Sequence, residues 1–327
     1  MLLLSWFNRY LSLSITLFLL LGFIFGLSVD AQFLLTAITP LTLLMIYPMM
    51  VGVRLPKIFQ PGENQTQLWA LGINFIIIPF IAFILGQFFF KKQPTLALGL
   101  LLAALLPTSG MTISWTGFAK GNIPAAIKIT IVGLLLGSVL TPFYVQFFLG
   151  AHIPMQVGLV FRQIFLFIAL PLVAGQLTRY FLIRKFSKEQ FQKQIAPKFP
   201  RFSTLGVLGI VFVAMALKAQ DLIQSPALLI QLLIPTLCLY SLNYLISTIV
   251  AKRFLNYENG VALIFGTVMR NLSIALALSM TAFGALGTQA ALLIALAYII
   301  QVQSAAWYVR FAQPLLKNNK KNKKQQN

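Results

Sequence analysis

Apolar runs of about twenty residues, each closed by a few polar, Pro or Gly positions, follow one another along the whole chain. A helix needs about 20 predominantly apolar residues to cross the hydrocarbon core of a bilayer. Ten such runs fit, at residues 11–29, 33–53, 66–90, 95–119, 123–149, 157–183, 203–219, 224–250, 259–282 and 286–312. The pattern predicts an all-α polytopic membrane protein with ten transmembrane helices. The joints are short except at residues 184–202, a Lys- and Gln-rich, Pro-containing stretch near the middle of the chain that reads as a linker.

Residues 1–150 hold five spans, so a second set of five would begin on the opposite side of the membrane. That is the inverted-repeat plan of many secondary transporters. On this plan residues 1–150 are the first repeat and 151–183 the first helix of the second. Residues 184–202 form a basic cytoplasmic linker, 203–312 the remaining helices, and 313–327 a basic cytoplasmic tail. Weak echoes agree: Gly121-Asn122-Ile123-Pro124-Ala125-Ala126 follows the fourth span and Gly287-Thr288-Gln289-Ala290-Ala291 the ninth. A secretory signal is the competing reading of Arg9, the run Leu11 to Leu27 and Val29-Asp30-Ala31. Removing that segment would break the match between halves, so it is kept as the first span.

Composition agrees with a bilayer as solvent. The 327 residues are 59% hydrophobic and 9% charged, with a mean hydropathy of +0.87, against about 25% charged residues in soluble domains. A net charge of +20 would suit nucleic acid if it were spread over one face, but the basic residues sit at helix ends. With the amino terminus inside, one side collects Arg9, Arg54, Lys57, Lys120, Arg179 through Arg201, Lys252, Arg253, Arg310 and the Lys-rich tail. The other side has Lys91, Lys92 and Lys218. Positive charge stays on the cytoplasmic side, so the reading is a multi-pass protein of the cell membrane with both termini cytoplasmic, lipid as its surroundings and no nucleic-acid partner. One cysteine, Cys238, and one histidine, His152, leave no disulfide framework and argue against a dedicated transition-metal site. No cofactor is expected. Without paired carboxylates, a His cluster or a nucleophile–base arrangement in the spans, the chain does not read as an enzyme.

The candidate chemistry lies in two spans. In the fourth, Pro107-Thr108-Ser109-Gly110-Met111-Thr112-Ile113-Ser114-Trp115-Thr116 combines helix breakers with a contiguous set of hydroxyls. Broken backbone at membrane depth is tolerated where it is buried in protein or lines a watery cavity; the bland alternative is a kinked helix whose hydroxyls bond their own backbone. In the ninth, Gly266-Thr267-Val268-Met269-Arg270-Asn271-Leu272-Ser273 puts an arginine and an asparagine near the middle of an apolar span. Intramembrane charge costs roughly 2.5–3.5 kcal/mol on insertion scales, which makes such residues functional candidates. The expected substrate-binding set is Thr108, Ser109, Thr112, Ser114, Thr116, Thr267, Arg270, Asn271 and Ser273.

Pro107 through Asn122, ending Phe118-Ala119-Lys120-Gly121-Asn122, resembles the fourth-helix signature of the bile acid/sodium symporters. Met269-Arg270-Asn271-Leu272-Ser273-Ile274-Ala275-Leu276-Ala277-Leu278 is similar to that family's ninth-helix motif. The resemblance implies a panel domain and a core domain, with helices four and nine broken and crossing at the substrate and ion site. In the sodium-coupled members a Ser-Asn pair in helix four and Glu and Gln in helix nine supply oxygen ligands for two sodium ions. The aligned positions here are Thr112-Ile113, Gly266 and Arg270, so the resemblance implies that the usual sodium ligands are lost and puts sodium coupling in doubt. Arg270 either stands in for the ion or binds an anionic group of a substrate.

The related arsenite-efflux permeases carry a Cys in helix four and a Glu after the Asn pair of helix nine. Here the only Cys is in the eighth span and Ser273 replaces the Glu. The five acidic residues, Asp30, Glu63, Glu189, Asp221 and Glu258, fall at helix ends or in joints, leaving no midplane proton carrier. Lys128 and Arg162 are additional cations near the membrane; Lys128 reads first as an interfacial anchor. Unbalanced positive charge predicts a small organic, or else inorganic, anion as substrate of a secondary active transporter. Arsenite efflux and a non-transporting membrane receptor are the alternatives.

Overall fold

The computed structural model describes residue 7 and residues 10–52, 62–150, 157–224 and 227–317. Arg9, Arg54, Lys57, His152 and the tail beyond Lys317 lie outside the described residues. Every regular element described is a helix: α1 Leu11–Ser28, α2 Ile38–Gly52, α3 Asn64–Phe89, α4 Pro94–Leu105, α5 Gly110–Phe118, α6 Ile123–Leu149, α7 Val157–Ile164, α8 Leu170–Phe186, α9 Phe199–Gln224, α10 Ala227–Phe254, α11 Tyr257–Val268, α12 Leu272–Ala282 and α13 Gly284–Lys317. A 3₁₀ segment, Ala31–Ala37, leads into α2, and a π turn, Phe165–Ala169, joins α7 to α8.

Among the described residues seven helical stretches are long and apolar enough to cross a membrane, and three shorter apolar helices, Leu13–Ser28, Pro94–Leu105 and Leu272–Ala282, accompany them. This is a polytopic membrane protein. The surface agrees, since Leu13, Leu17, Leu20 and Ile24 on α1, and Leu68, Ile76, Ile84 and Phe88 on α3, are exposed. Such side chains belong against lipid tails.

The helices pack as two groups. In one, α9 lies against α1 and α2, and α2 against α8. Small residues set the spacing: a Cβ on Gly206 would fall 2.5 Å from the Met45 amide nitrogen, and one on Gly26 2.1 Å from the Ala216 carbonyl oxygen. Glycine lets backbones approach closely without a hydrophobic drive between helices in lipid. The second group holds α3 to α6 and α10 to α13, with α13 also touching α1 and α9. At its centre Leu96–Leu105, Gly260–Val268 and Leu272–Met280 are buried on every side, which is why these segments are apolar all round rather than amphipathic.

The stretch read as a linker, 184–202, is mostly helical, as α8 runs to Phe186 and short helical turns span Lys188–Lys198 before α9. Phe191 is buried there with the Arg179 guanidinium 5.6 Å from its ring centre, and Lys193 pairs with Glu189 one turn back at 2.6 Å. A buried aromatic anchor thus holds a segment whose composition reads as loop. The last helix also runs further than its hydropathy indicates, through Lys317.

Candidate functional site

Both interruptions meet at one point. Pro107 and Arg270 form an antiparallel backbone bridge, in which the Thr108 amide donates to the Met269 carbonyl and the Asn271 amide to the Leu106 carbonyl, each at 2.7 Å. The break in the fourth span is therefore residues 106–109 and that in the ninth 269–271. The chain breaks there for local reasons. Pro107 lacks an amide donor and Thr108 is in the left-handed region at φ +66°. Ser109 caps α5, its Oγ accepting from the Met111 amide at 3.2 Å while its own amide donates to Thr112 Oγ1 at 3.3 Å. Asn271 caps α12, its Oδ1 accepting from the Ile274 amide at 3.3 Å. Two helix amino termini, which favour negative charge, thus begin at the crossing.

Arg270 lies at the centre, 3% exposed. Its Nη1 donates to Asn74 Oδ1 at 3.0 Å, while Nη2 is buried with no hydrogen-bond partner. Its backbone is clasped by Gln301: the Arg270 amide donates to Gln301 Oε1 at 2.7 Å, and Gln301 Nε2 donates back to the Arg270 carbonyl at 3.2 Å. Tyr240 Oη donates to the same Oε1 at 2.9 Å. The carbonyls left at the end of α11 are taken up by neighbours, Gly266 by Asn74 Nδ2 at 3.0 Å and Thr267 by Asn243 Nδ2 at 2.8 Å. The freed backbone groups of a broken helix in lipid need such partners.

The other predicted residues divide into three kinds. Thr108 Oγ1 bonds the carbonyls of Pro107 at 2.6 Å and Thr130 at 3.0 Å, and Thr267 Oγ1 meets Ser247 Oγ at 2.6 Å; both are structural ties at the crossing. Ser273 is paired with the Tyr298 hydroxyl. Thr112 and Thr116 are buried on α5, with Thr116 Oγ1 unpartnered, whereas Ser114 is on its exposed side. Lys128 Nζ donates to the Gly62 carbonyl at 3.1 Å, about three helical turns before Asn74, and Arg162 is exposed; neither is grouped with Arg270. Asn74, Tyr240, Asn243, Ser247, Tyr298 and Gln301 complete the network without having been singled out by their sequence neighbourhood. Asn74 is an isolated polar residue in an apolar span, and that isolation is the signal that marks it, whereas Tyr240, Asn243 and Ser247 stand beside Ser241, Tyr244 and Thr248, and Gln301 beside Gln303 and Ser304.

Two surface clefts of about 470 and 440 Å³ lie elsewhere, one around Asp30 and Gln220 and one between α2 and α8. Neither includes a residue of the crossing. Among the described residues no group of three or more His, Cys, Asp or Glu side chains is placed to hold a metal ion.

Many buried helices, broken at a polar centre, define a multi-pass membrane protein, and comparison with known proteins gives its class. The model of the Sodium Bile acid symporter family matches residues 39–225, more than half of the chain, and the chain belongs to that family of membrane transporters. It is 24% identical over 265 residues to arsenical-resistance protein Acr3 of Corynebacterium glutamicum, covering 76% of this chain and 70% of that protein. To the uncharacterized sodium-dependent transporter YocS of Bacillus subtilis it is 26% identical over 219 residues, 65% of this chain and 64% of the other. Sodium/bile acid cotransporter 7 of Danio rerio shares 29% over 111 residues, 34% of this chain and 31% of the other.

Proposed function

We propose that the protein is a secondary active transporter that carries a small anion, organic or inorganic, across the cell membrane without sodium coupling. The observation that carries this reading is the buried Arg270 guanidinium at the crossing, held by a neutral amide and keeping one terminal nitrogen unpartnered. All five acidic residues lie at helix ends or in joints, so the buried cation has no carboxylate on its own or a facing midplane segment to cancel it. The amino termini of α5 and α12 add positive dipole ends, an arrangement transporters use for anionic groups.

The surroundings of Arg270 support the reading without sodium. The Leu106, Gly266, Thr267, Met269 and Arg270 carbonyls each accept a hydrogen bond from a protein donor, and a permanently charged guanidinium lies among them. Ten spans follow if α7 with α8, joined by their π turn, and the interrupted pairs α4 with α5 and α11 with α12 are each counted as one helix. The antiparallel meeting of the two breaks supports two inverted repeats of five, and the distribution of Lys and Arg supports cytoplasmic termini.

A second reading, arsenite efflux, draws on the similarity to arsenical-resistance proteins. Cys238 on α10 is two residues from Tyr240, about 200° around the helix, and so on a different face from the side chain that reaches Gln301.

The test is uptake of bile salts and small carboxylates into proteoliposomes, with arsenite as a separate arm. Anion uptake is expected in the wild type and a loss of at least tenfold in Arg270→Gln. Undiminished anion uptake by that variant would remove the main support, arsenite flux alone would favour the second reading, and no flux of any solute would favour a receptor.

A further inference from the structure

We propose that Asn74 determines the charge selectivity of the crossing: it holds Arg270 in position while leaving the guanidinium charge uncancelled. This rests on the anion reading and deepens it.

Asn74 belongs to the π turn Ile73–Ile77 within α3. A π turn inserts an extra residue into the helix and shifts its register, a feature frequent at functional sites. Here Asn74 is 1% exposed on the side of α11, while Ile76 points outward at 63%. Both ends of the amide are committed: Nδ2 donates to the Gly266 carbonyl at 3.0 Å and Oδ1 accepts from Arg270 Nη1 at 3.0 Å. One side chain therefore ties the last turn of α11 to the guanidinium that follows it. Gly266 has no room for a side chain of its own, since a Cβ there would sit 2.9 Å from Ile129 Cγ2.

The choice of an amide has an electrostatic consequence. A carboxylate at this position would make a charge-assisted pair with Arg270, and the pair would present no net charge to a substrate. An aliphatic side chain would strand both the guanidinium and the Gly266 carbonyl. A neutral acceptor satisfies Nη1 and leaves the positive charge, with Nη2 as the free donor, for an oxygen of an incoming anion. The other groups around the site are neutral as well: Gln301 and Tyr240 on the backbone side of Arg270, Ser273 with Tyr298, and Thr267 with Asn243 and Ser247. Asn74 is thus a positioning residue that sets which sign of substrate the crossing takes.

Its test is the concentration dependence of uptake of taurocholate and of small mono- and dicarboxylates by Asn74→Asp, Asn74→Ser and Arg270→Gln in proteoliposomes. Both variants lose the Nδ2 donor to the Gly266 carbonyl, so a purely structural role lowers the maximal rate and the thermal midpoint in each with KM little changed. The charge role separates the two in KM. Asn74→Asp is expected to raise KM at least tenfold with the maximal rate within about threefold of wild type, and Asn74→Ser to raise KM less. If Asn74→Asp does not yield monodisperse protein, Asn74→Glu carries the same charge on a longer arm and is read in the same way. A wild-type KM in the acidic variant, alongside lost uptake in Arg270→Gln, overturns the role of Asn74 and spares the anion reading. A wild-type KM in Arg270→Gln, or no uptake of any of these anions by the wild-type protein, overturns both.

Discussion

Arg270 concentrates the problem of a charge in lipid, and the residues around it show how the cost is met. Insertion of arginine at a helix centre costs about 2.5–3.5 kcal/mol, and the Arg270 amide and carbonyl lose their helical partners at the break. Gln301 supplies both, completely buried itself. Replacing one side of a buried hydrogen-bonded pair leaves the other unsatisfied, at about 1–3 kcal/mol per group. Gln301→Leu is therefore expected to lower the thermal unfolding midpoint in detergent clearly more than Tyr240→Phe, which removes a single bond to the same oxygen. Equal midpoints for the two variants would show that the Gln301 clasp is not what steadies the break. At this scale the sequence displayed Thr267, Arg270, Asn271 and Ser273 because they lie close together in one apolar span. It did not display Asn74 and Gln301, which are separated from Arg270 by 196 and 31 positions and become partners only when α3 and α13 pack around α11.

At the scale of helices, two devices recur: breaks with caps, and glycines at close approaches. The breaks were legible, since Pro107, Gly110 and the polar run beside them cannot continue a regular helix in lipid. Their length was not, because Thr112, Ser114 and Thr116 resume helix once Ser109 caps α5. The close approaches divide the glycines into two kinds. A Cβ on Gly206 meets the backbone of Met45 at 2.5 Å, whereas one on Gly72 meets nothing within 4 Å. Gly206→Val should push α9 off α2 and sharply reduce the yield of monodisperse protein. Gly72→Ala should be tolerated and slightly stabilising, by about 0.5–1 kcal/mol, because Gly is the costlier residue in a helix interior. Size-exclusion profiles and thermal midpoints of the pair test this, and a well-behaved Gly206→Val would show that the α2–α9 contact yields easily.

At the scale of the whole molecule, the proposal concerns what drives transport. A guanidinium fixed to the chain cannot move down a gradient, so it can neutralise an anion but cannot supply the coupling energy a mobile sodium ion would. Replacing sodium by choline on both sides of proteoliposomes is expected to leave uptake of the transported anion within about twofold. Strong sodium stimulation would mean that an ion site is assembled away from Arg270.

What the sequence determined by itself was the solvent and the punctuation. Runs of about 20 apolar residues demand lipid, and Pro, Gly and a charge inside such runs demand interruption, because hydropathy and backbone hydrogen bonding are local properties of the chain. Tertiary structure decided where the two interruptions meet, which amides attend Arg270, and that residues 184–202 are mostly helical around a buried Phe191. These depend on contacts between segments far apart in the chain, and a lone amide in an apolar run acquires its meaning only from the group that packing brings to face it.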